Sequence, residues 1–219
     1  MSLDSVFRKI GIDRDYVPAN FADLQPDMQG WGSTHPIFQT MMTQVRPSVV
    51  IEVGTWKGAS VLGMARIAEA LGLPTEFICV DTWLGSNDAL WLNDTYRASL
   101  LLKDGYPSMF RQFIRNVISE DAVKRIYPLP ITSSGGYHLL KALGVTAQLI
   151  YIDAGHEEIE VYPDLVMYYE LLEPGGIMLG DDFSKSWPGV IAAVKRFCKE
   201  QELELHEERP SKFWFRKPA

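Results

Sequence analysis

Four aspartates in this chain each close a mostly apolar run: Asp81 after residues 77–80, Asp153 after 148–152, and the pair Asp181-Asp182 after 177–179. Carboxylates gathered at one end of a sheet repel one another, and something must offset that cost. A hard divalent cation with oxygen ligands does so. Asp153, Asp181 and Asp182 are the expected ligands, with water and substrate oxygens completing the shell. Such an ion, Mg²⁺ for instance, lowers the pKa of a bound hydroxyl and orients it for attack. The competing reading has no metal: Asp182 caps the helix that follows, and Asp181 pairs with a cationic side chain. His156, just past Asp153, has the pKa range of a general base. It can equally be a structural histidine that caps the next helix or orients Asp153. His35 and His138 read as structural.

A second constellation lies earlier. Residues 49–53 are rich in β-branched side chains and read as a buried parallel strand. Gly54 and Gly58 interrupt the run, and Val61, Ala65, Ala68 and Leu71 then recur at helical spacing over 59–71. Strand, glycine-rich turn and helix suit a nucleotide-like ligand, because glycine admits close backbone approach and N–H groups at a helix start favour an anionic group. Glu52 is an acid inside an apolar strand and needs a partner. The expected partners are backbone amides of the turn or an amino group of the ligand. Asp81 stands where such folds place the acid that binds ribose hydroxyls, roughly 20 residues past the glycines; otherwise it caps a helix or sits in a solvated turn.

The elements that must position these residues alternate. A helix is expected from Thr34, with Pro36 in its first turn and Ile37, Phe38, Met41, Met42 and Val45 as its stripe, ending before Pro47. Strands follow at 77–80, 126–132, 148–152 and 177–179, with Pro128 and Pro130 demoting the third to an edge. Helices are marked by Met109, Phe110, Phe113 and Val117; by Leu139, Leu140 and Leu143; by Tyr162, Leu165, Val166, Tyr169 and Leu172; and by Val190, Ile191, Val194, Phe197 and Cys198. Pro174-Gly175-Gly176 should stop the third of these. Residues 203–206 and 213–215 read as two final strands. Segment 84–104 has no clean period, and long irregular segments are commonly functional. Trp83 just before it and Trp91 and Tyr96 within it either stack on a ligand ring or fill core under a loop. Residues 1–33 read as an N-terminal extension over the core or its edge, and 34–219 as one domain with 84–104 as a lid insert. The alternation implies an α/β fold, doubly wound around a mostly parallel sheet, with a C-terminal antiparallel hairpin and ligands at the carboxyl ends of the strands.

Composition narrows the function. A formal charge of −7 disfavours nucleic-acid partners. No apolar run is long enough for a membrane span, and no leader pattern is present. Cys79 and Cys198 fall in an apparent strand and on an apolar helix face and read as buried thiols. The cytoplasm is the expected compartment, with a homodimer as one possible assembly.

The motif Glu52-x-Gly54-x-x-x-Gly58 resembles the first motif of class I S-adenosylmethionine-dependent methyltransferases, and differs from the Gly-x-Gly-x-x-Gly of dinucleotide folds. Ile152-Asp153-Ala154-Gly155-His156, Leu172-Glu173-Pro174-Gly175-Gly176, Gly180-Asp181-Asp182-Phe183 and Val80-Asp81-Thr82-Trp83-Leu84-Gly85 are similar to the macrocin O-methyltransferase and cephalosporin hydroxylase group. The resemblance spans roughly residues 37–200. It implies a Rossmann-like methyltransferase fold with a seven-stranded sheet. It implies S-adenosylmethionine held by Glu52, Gly54, Thr55, Trp56, Gly58, Ser60, Asp81, Thr82 and Ser133. It further implies Mg²⁺ on Asp153, Asp181 and Asp182, with Asp153 and His156 as catalytic residues. The implied reaction is methyl transfer to a hydroxyl of a small molecule such as a sugar or natural product. Two alternatives stay open: a methyltransferase-like binding module without catalysis, and a metal-independent methyltransferase. A nicotinamide oxidoreductase is disfavoured by the missing dinucleotide motif.

Overall fold

The computed structural model describes residues 2–85 and 88–219. Its strands are β1 (Val49–Val53), β2 (Glu76–Asp81), β3 (Ile126–Pro130), β4 (Ala147–Ile152), β5 (Leu172–Gly180), β6 (His206–Glu208) and β7 (Lys212–Arg216). They form one sheet in the order β3-β2-β1-β4-β5-β7-β6. The first five are parallel, and β7 runs antiparallel between β5 and β6. The helices are α1 (Leu3–Lys9), α2 (Ile37–Val45), α3 (Ala59–Ala70), α4 (Asp88–Leu92), α5 (Asp94–Arg97), α6 (Met109–Ser119), α7 (Ser133–Ala142), α8 (Glu158–Leu171) and α9 (Pro188–Glu200).

Side chains alternate across a strand, so each central strand feeds two cores. Ile51, Val53, Ile78, Ile150 and Met178 pack with α1, α7, α8 and α9. Val50, Phe77, Leu149 and Leu179 pack with α2, α3 and α6. This double burial explains the unbroken apolar strands. Glu52 belongs to the second row, in register with Cys79 on β2 and Tyr151 on β4. Strand order reverses between β1 and β4, which opens the crevice where α/β folds bind ligands.

β3 is the outer strand, as its prolines require. Phe7 of α1 packs on Tyr127 of β3 at 5.0 Å, so the N-terminal segment covers that edge. Cys79 and Cys198 are free and buried. Three elements differ from the sequence pattern. β5 starts at Leu172 rather than 177: Pro174-Gly175-Gly176 is absorbed by a register shift against β4, with the Gly175 N–H donating to the Lys217 carbonyl at 3.0 Å. The sheet-facing residues of α8 include Val161, Leu165, Tyr168 and Leu171, while Val166 is exposed. Tyr162 and Tyr169 turn instead toward Phe197 of α9, because α8 is wedged beside that helix. β6 begins at His206 because pairing is set by Trp214, Phe213 and Lys212 across the hairpin. The expected insert 84–104 folds beyond position 87 as α4, α5 and a short turn at Ala98–Leu100. Positions 86 and 87 of that insert, like position 1 of the expected extension, lie outside the described residues.

Candidate functional site

A cavity of about 720 Å³ opens at the carboxyl ends of β1, β2 and β4. That volume is ample for a nucleotide-sized ligand with a small partner. The turn after β1 forms one wall. Gly54 has φ +85°, and a Cβ there would lie 2.0 Å from the Asp153 carbonyl oxygen, so only glycine fits where the β1 and β4 ends meet. Trp56 holds a left-handed φ of +54°, a strain that surrounding contacts must maintain. Its Nε1 donates to Gln29 Oε1 at 3.0 Å, and its carbonyl accepts from Trp83 Nε1 at 2.7 Å.

Asp81 braces this turn. Its Oδ2 accepts the Thr55 and Trp56 N–H groups, both at 2.8 Å, and its Oδ1 accepts the Trp83 N–H at 2.7 Å. Burial raises its pKa, although these backbone donors work against the shift. Glu52 is fully buried and accepts from the Ser60 hydroxyl, while its Oε2 has no partner. Its pKa is pushed well up by desolvation, against the Ser60 hydrogen bond. The expected backbone-amide partners are replaced by Ser60, because Glu52 points under the start of α3 rather than along the turn. Gly54, Thr55, Trp56, Ser60, Asp81, Thr82 and Ser133 all line the cavity; Glu52 and Gly58 are not on its wall.

The opposite wall carries Asp153, His156, Asp181 and Asp182. His156 Nε2 is 2.9 Å from Asp182 Oδ2, and its ring stacks on Trp187 at 4.0 Å. Burial opposes the imidazolium, but the Asp182 hydrogen bond and the charges of Asp182 and Asp153 outweigh it and raise the pKa. Asp182, with φ +60°, does not cap α9; that helix starts at Pro188. Asp153 Oδ2 accepts from the Tyr151 hydroxyl at 2.8 Å. Burial and the Asp181 charge push Asp153 up to about 7.

Asp181 is occupied on both oxygens. Oδ2 accepts from Lys212 Nζ at 2.5 Å and from Tyr151 at 3.4 Å; Oδ1 accepts from the Ser211 hydroxyl and the Asp182 N–H, each at 2.7 Å. The expected Mg²⁺ shell of Asp153, Asp181 and Asp182 is therefore not formed. Asp182 is turned to His156, Asp181 to an ammonium, and no group of three or more His, Cys, Asp or Glu among the described residues is arranged to hold a metal. These residues do not fit the ion. The cationic partner of Asp181 was foreseeable in kind but not in identity. Lys212 opens the apolar run Phe213-Trp214-Phe215, and a charge beside such a run is the signal that points to it.

Sequence reasoning also missed Trp31, Trp187 and Asp164 on the cavity wall. Trp31 sits 5.6 Å from Trp56 and 6.0 Å from Tyr96, and both Trp31 and Tyr96 remain exposed. Trp83, by contrast, is core, 4.9 Å from Phe110 and from Phe113. His35 is structural: its Nε2 meets the Arg209 carbonyl at 2.5 Å and its Nδ1 accepts the Ile37 N–H. Among the described residues the cavity wall holds six carboxylates and no lysine or arginine, so it favours cationic and neutral ligands over anions.

Residues 51–183 match the family model of a methyltransferase domain. Among solved structures, the chain is similar to the O-methyltransferase NovP, with a TM-score of 0.65 and 17% identity over 85% of this chain and 80% of that one. It is also similar to the O-methyltransferase TomG from Streptomyces achromogenes, involved in tomaymycin synthesis and solved with SAM (TM-score 0.60, 11% identity, 99% and 96% covered). A third is the O-methyltransferase from Bacillus cereus in complex with SAH (TM-score 0.57, 13% identity, 98% and 97% covered). At these identities the structural likeness speaks for the fold. No curated protein matches the chain. No helix among the described residues is long and apolar enough to cross a membrane.

Proposed function

The chain belongs to the methyltransferase-domain family, as a class I S-adenosylmethionine-dependent enzyme, and from that premise we propose that it methylates a hydroxyl of an uncharged or cationic small molecule. The observation that carries this reading is the His156–Asp182 pair, 2.9 Å apart, facing the same cavity as the glycine turn. A histidine oriented by a carboxylate and facing the cavity is placed to act as a general base.

S-adenosylmethionine fits the cavity in size and charge: its sulfonium is cationic and the wall is acidic. When bound, it supplies an electrophilic methyl group. Gly54, Thr55, Trp56 and Ser60 present the turn to it, with Asp81, Thr82 and Ser133 alongside. Glu52 acts from below by fixing Ser60 at the start of α3. The acceptor hydroxyl gives its proton to His156 as its oxygen takes the methyl group. Asp182 at Nε2 holds the ring in place and stabilises the imidazolium that forms. Trp187 fixes the ring plane. Most of the rate gain comes from placing donor and acceptor together. Trp31 and Tyr96, set edge to face at 6.0 Å and exposed, offer aromatic surface suited to a ring-bearing acceptor, such as a sugar or a natural product.

The test is transfer of labelled methyl to paired acceptors, one neutral and one carrying a carboxylate, with product analysis by mass spectrometry. Neutral hydroxyl acceptors should be turned over and their carboxylated partners poorly. His156→Gln should lose roughly 10²–10⁴-fold in kcat while binding cofactor normally. Methylation at nitrogen only, or full turnover by His156→Gln, would refute the reading.

A further inference from the structure

We propose that the Lys212 ammonium is a built-in cation, standing among Asp153, Tyr151 and Asp181 where a divalent metal would otherwise sit, and that removing it turns this pocket into a metal site. The proposal deepens the reading above by saying how the acidic wall is balanced.

Lys212 is almost fully buried, although it carries a charge. Its Nζ lies 2.5 Å from Asp181 Oδ2 and 2.6 Å from the Tyr151 hydroxyl oxygen. Tyr151 passes its own proton to a hydrogen bond with Asp153 Oδ2 at 2.8 Å. One ammonium therefore reaches Asp181 directly and Asp153 through a phenol. The ammonium also lies 5.0 Å from the Phe38 ring centroid and 4.9 Å from that of Tyr151, rings that attract a desolvated cation. Gly32 closes the site from the N-terminal segment. A Cβ on it would stand 2.8 Å from Asp181 Oδ2 and 3.1 Å from Lys212 Nζ. The backbone thus lies close against the ion pair on that side and crowds a hydration shell, which Mg²⁺ gives up reluctantly.

A buried carboxylate needs a partner, and here the chain supplies it covalently. A lysine cannot dissociate, so the site needs no metal and resists chelators. The same oxygen atoms, freed of the ammonium, form the donor set that hard cations take. An ion pair with a purely structural role makes a different forecast: its loss would lower stability and create no affinity for metal.

The experiment is Mn²⁺ binding by electron paramagnetic resonance and calorimetry on metal-stripped protein, without cofactor or acceptor, so that it fails separately from the methyl-transfer assay. The parent should bind no Mn²⁺ that Asp181→Asn abolishes, and its thermal midpoint should not move with EDTA or millimolar Mn²⁺. Lys212→Ala, with folding checked by circular dichroism, should gain Mn²⁺ binding that a further Asp181→Asn abolishes, and its thermal midpoint should rise with millimolar Mn²⁺. Lys212→Gln, which keeps hydrogen bonds to Tyr151 and Asp181 without the charge, is the second variant. Asp181-dependent Mn²⁺ binding by the parent overturns the proposal, as does a folded Lys212→Ala or Lys212→Gln with no gain in affinity. If neither variant folds, the parent's binding and its response to EDTA decide alone.

Discussion

At the end of β2, Asp81 is balanced by three backbone N–H groups of the turn it closes and the loop that follows it. At the ends of β4 and β5, Asp153 and Asp181 are balanced by side chains, Tyr151 and Lys212. The first arrangement uses dipoles that any folded turn of this shape supplies. The second uses one full charge, buried and held by a strand that comes later in the chain. Backbone donors lose little when their acceptor is removed, since water reaches the cavity. An ammonium sealed under Gly32 and Phe38 has no such recourse.

The contrast ranks the consequences of substitution. Asp181→Ala leaves Lys212 buried without its counter-charge and should cost about 3–5 kcal/mol in denaturant unfolding. Adding Lys212→Met to that variant should recover much of the loss, because the pair is then replaced by apolar volume. If the double variant is no more stable than Asp181→Ala, the two ends of the cavity are balanced in the same way and the contrast falls. Asp81→Ala should be milder for the fold. It should weaken S-adenosylmethionine binding by about 1.5–3 kcal/mol, measured by calorimetry, through the lost charged hydrogen bonds and a loosened turn.

The smallest effect sharpens the comparison with a carboxylate whose partner is a neutral side chain, Ser133. Asp164 of α8 is buried on the cavity wall, and desolvation pushes it up to about 6, with Ser133 opposing and Glu160 assisting. Its folded pKa therefore lies above the unfolded one. The folded state holds the proton more tightly, so this group's contribution to stability is whole below about pH 4 and is lost as pH rises through about 6. Asp164→Asn should match the parent at pH 4 and exceed it by about 1–2 kcal/mol above pH 7, read from paired unfolding curves. An unchanged difference across that range would show Asp164 to be balanced after all.

Sequence alone determined the parts of this protein whose causes are local. β1, the glycine turn and α3 were legible because β-branched residues, Gly54 and Gly58 and a helical apolar stripe stand in order within one short stretch. The edge position of β3 followed from its prolines, and the pairing of the last two strands from their proximity. The gathering of Asp81, Asp153, Asp181 and Asp182 on one cavity followed from strand ends in a parallel sheet. What sequence could not settle was the partner of each acid. A carboxylate at a strand end attracts a metal, a lysine, a histidine or a backbone donor alike, and electrostatics has no sequence distance. Only the placement of β7 beside β5 brought Lys212 to Asp181, and only the fold of the β4–α8 loop brought His156 to Asp182. Those two contacts give Asp181 an ammonium and Asp182 an imidazole in place of the expected metal shell.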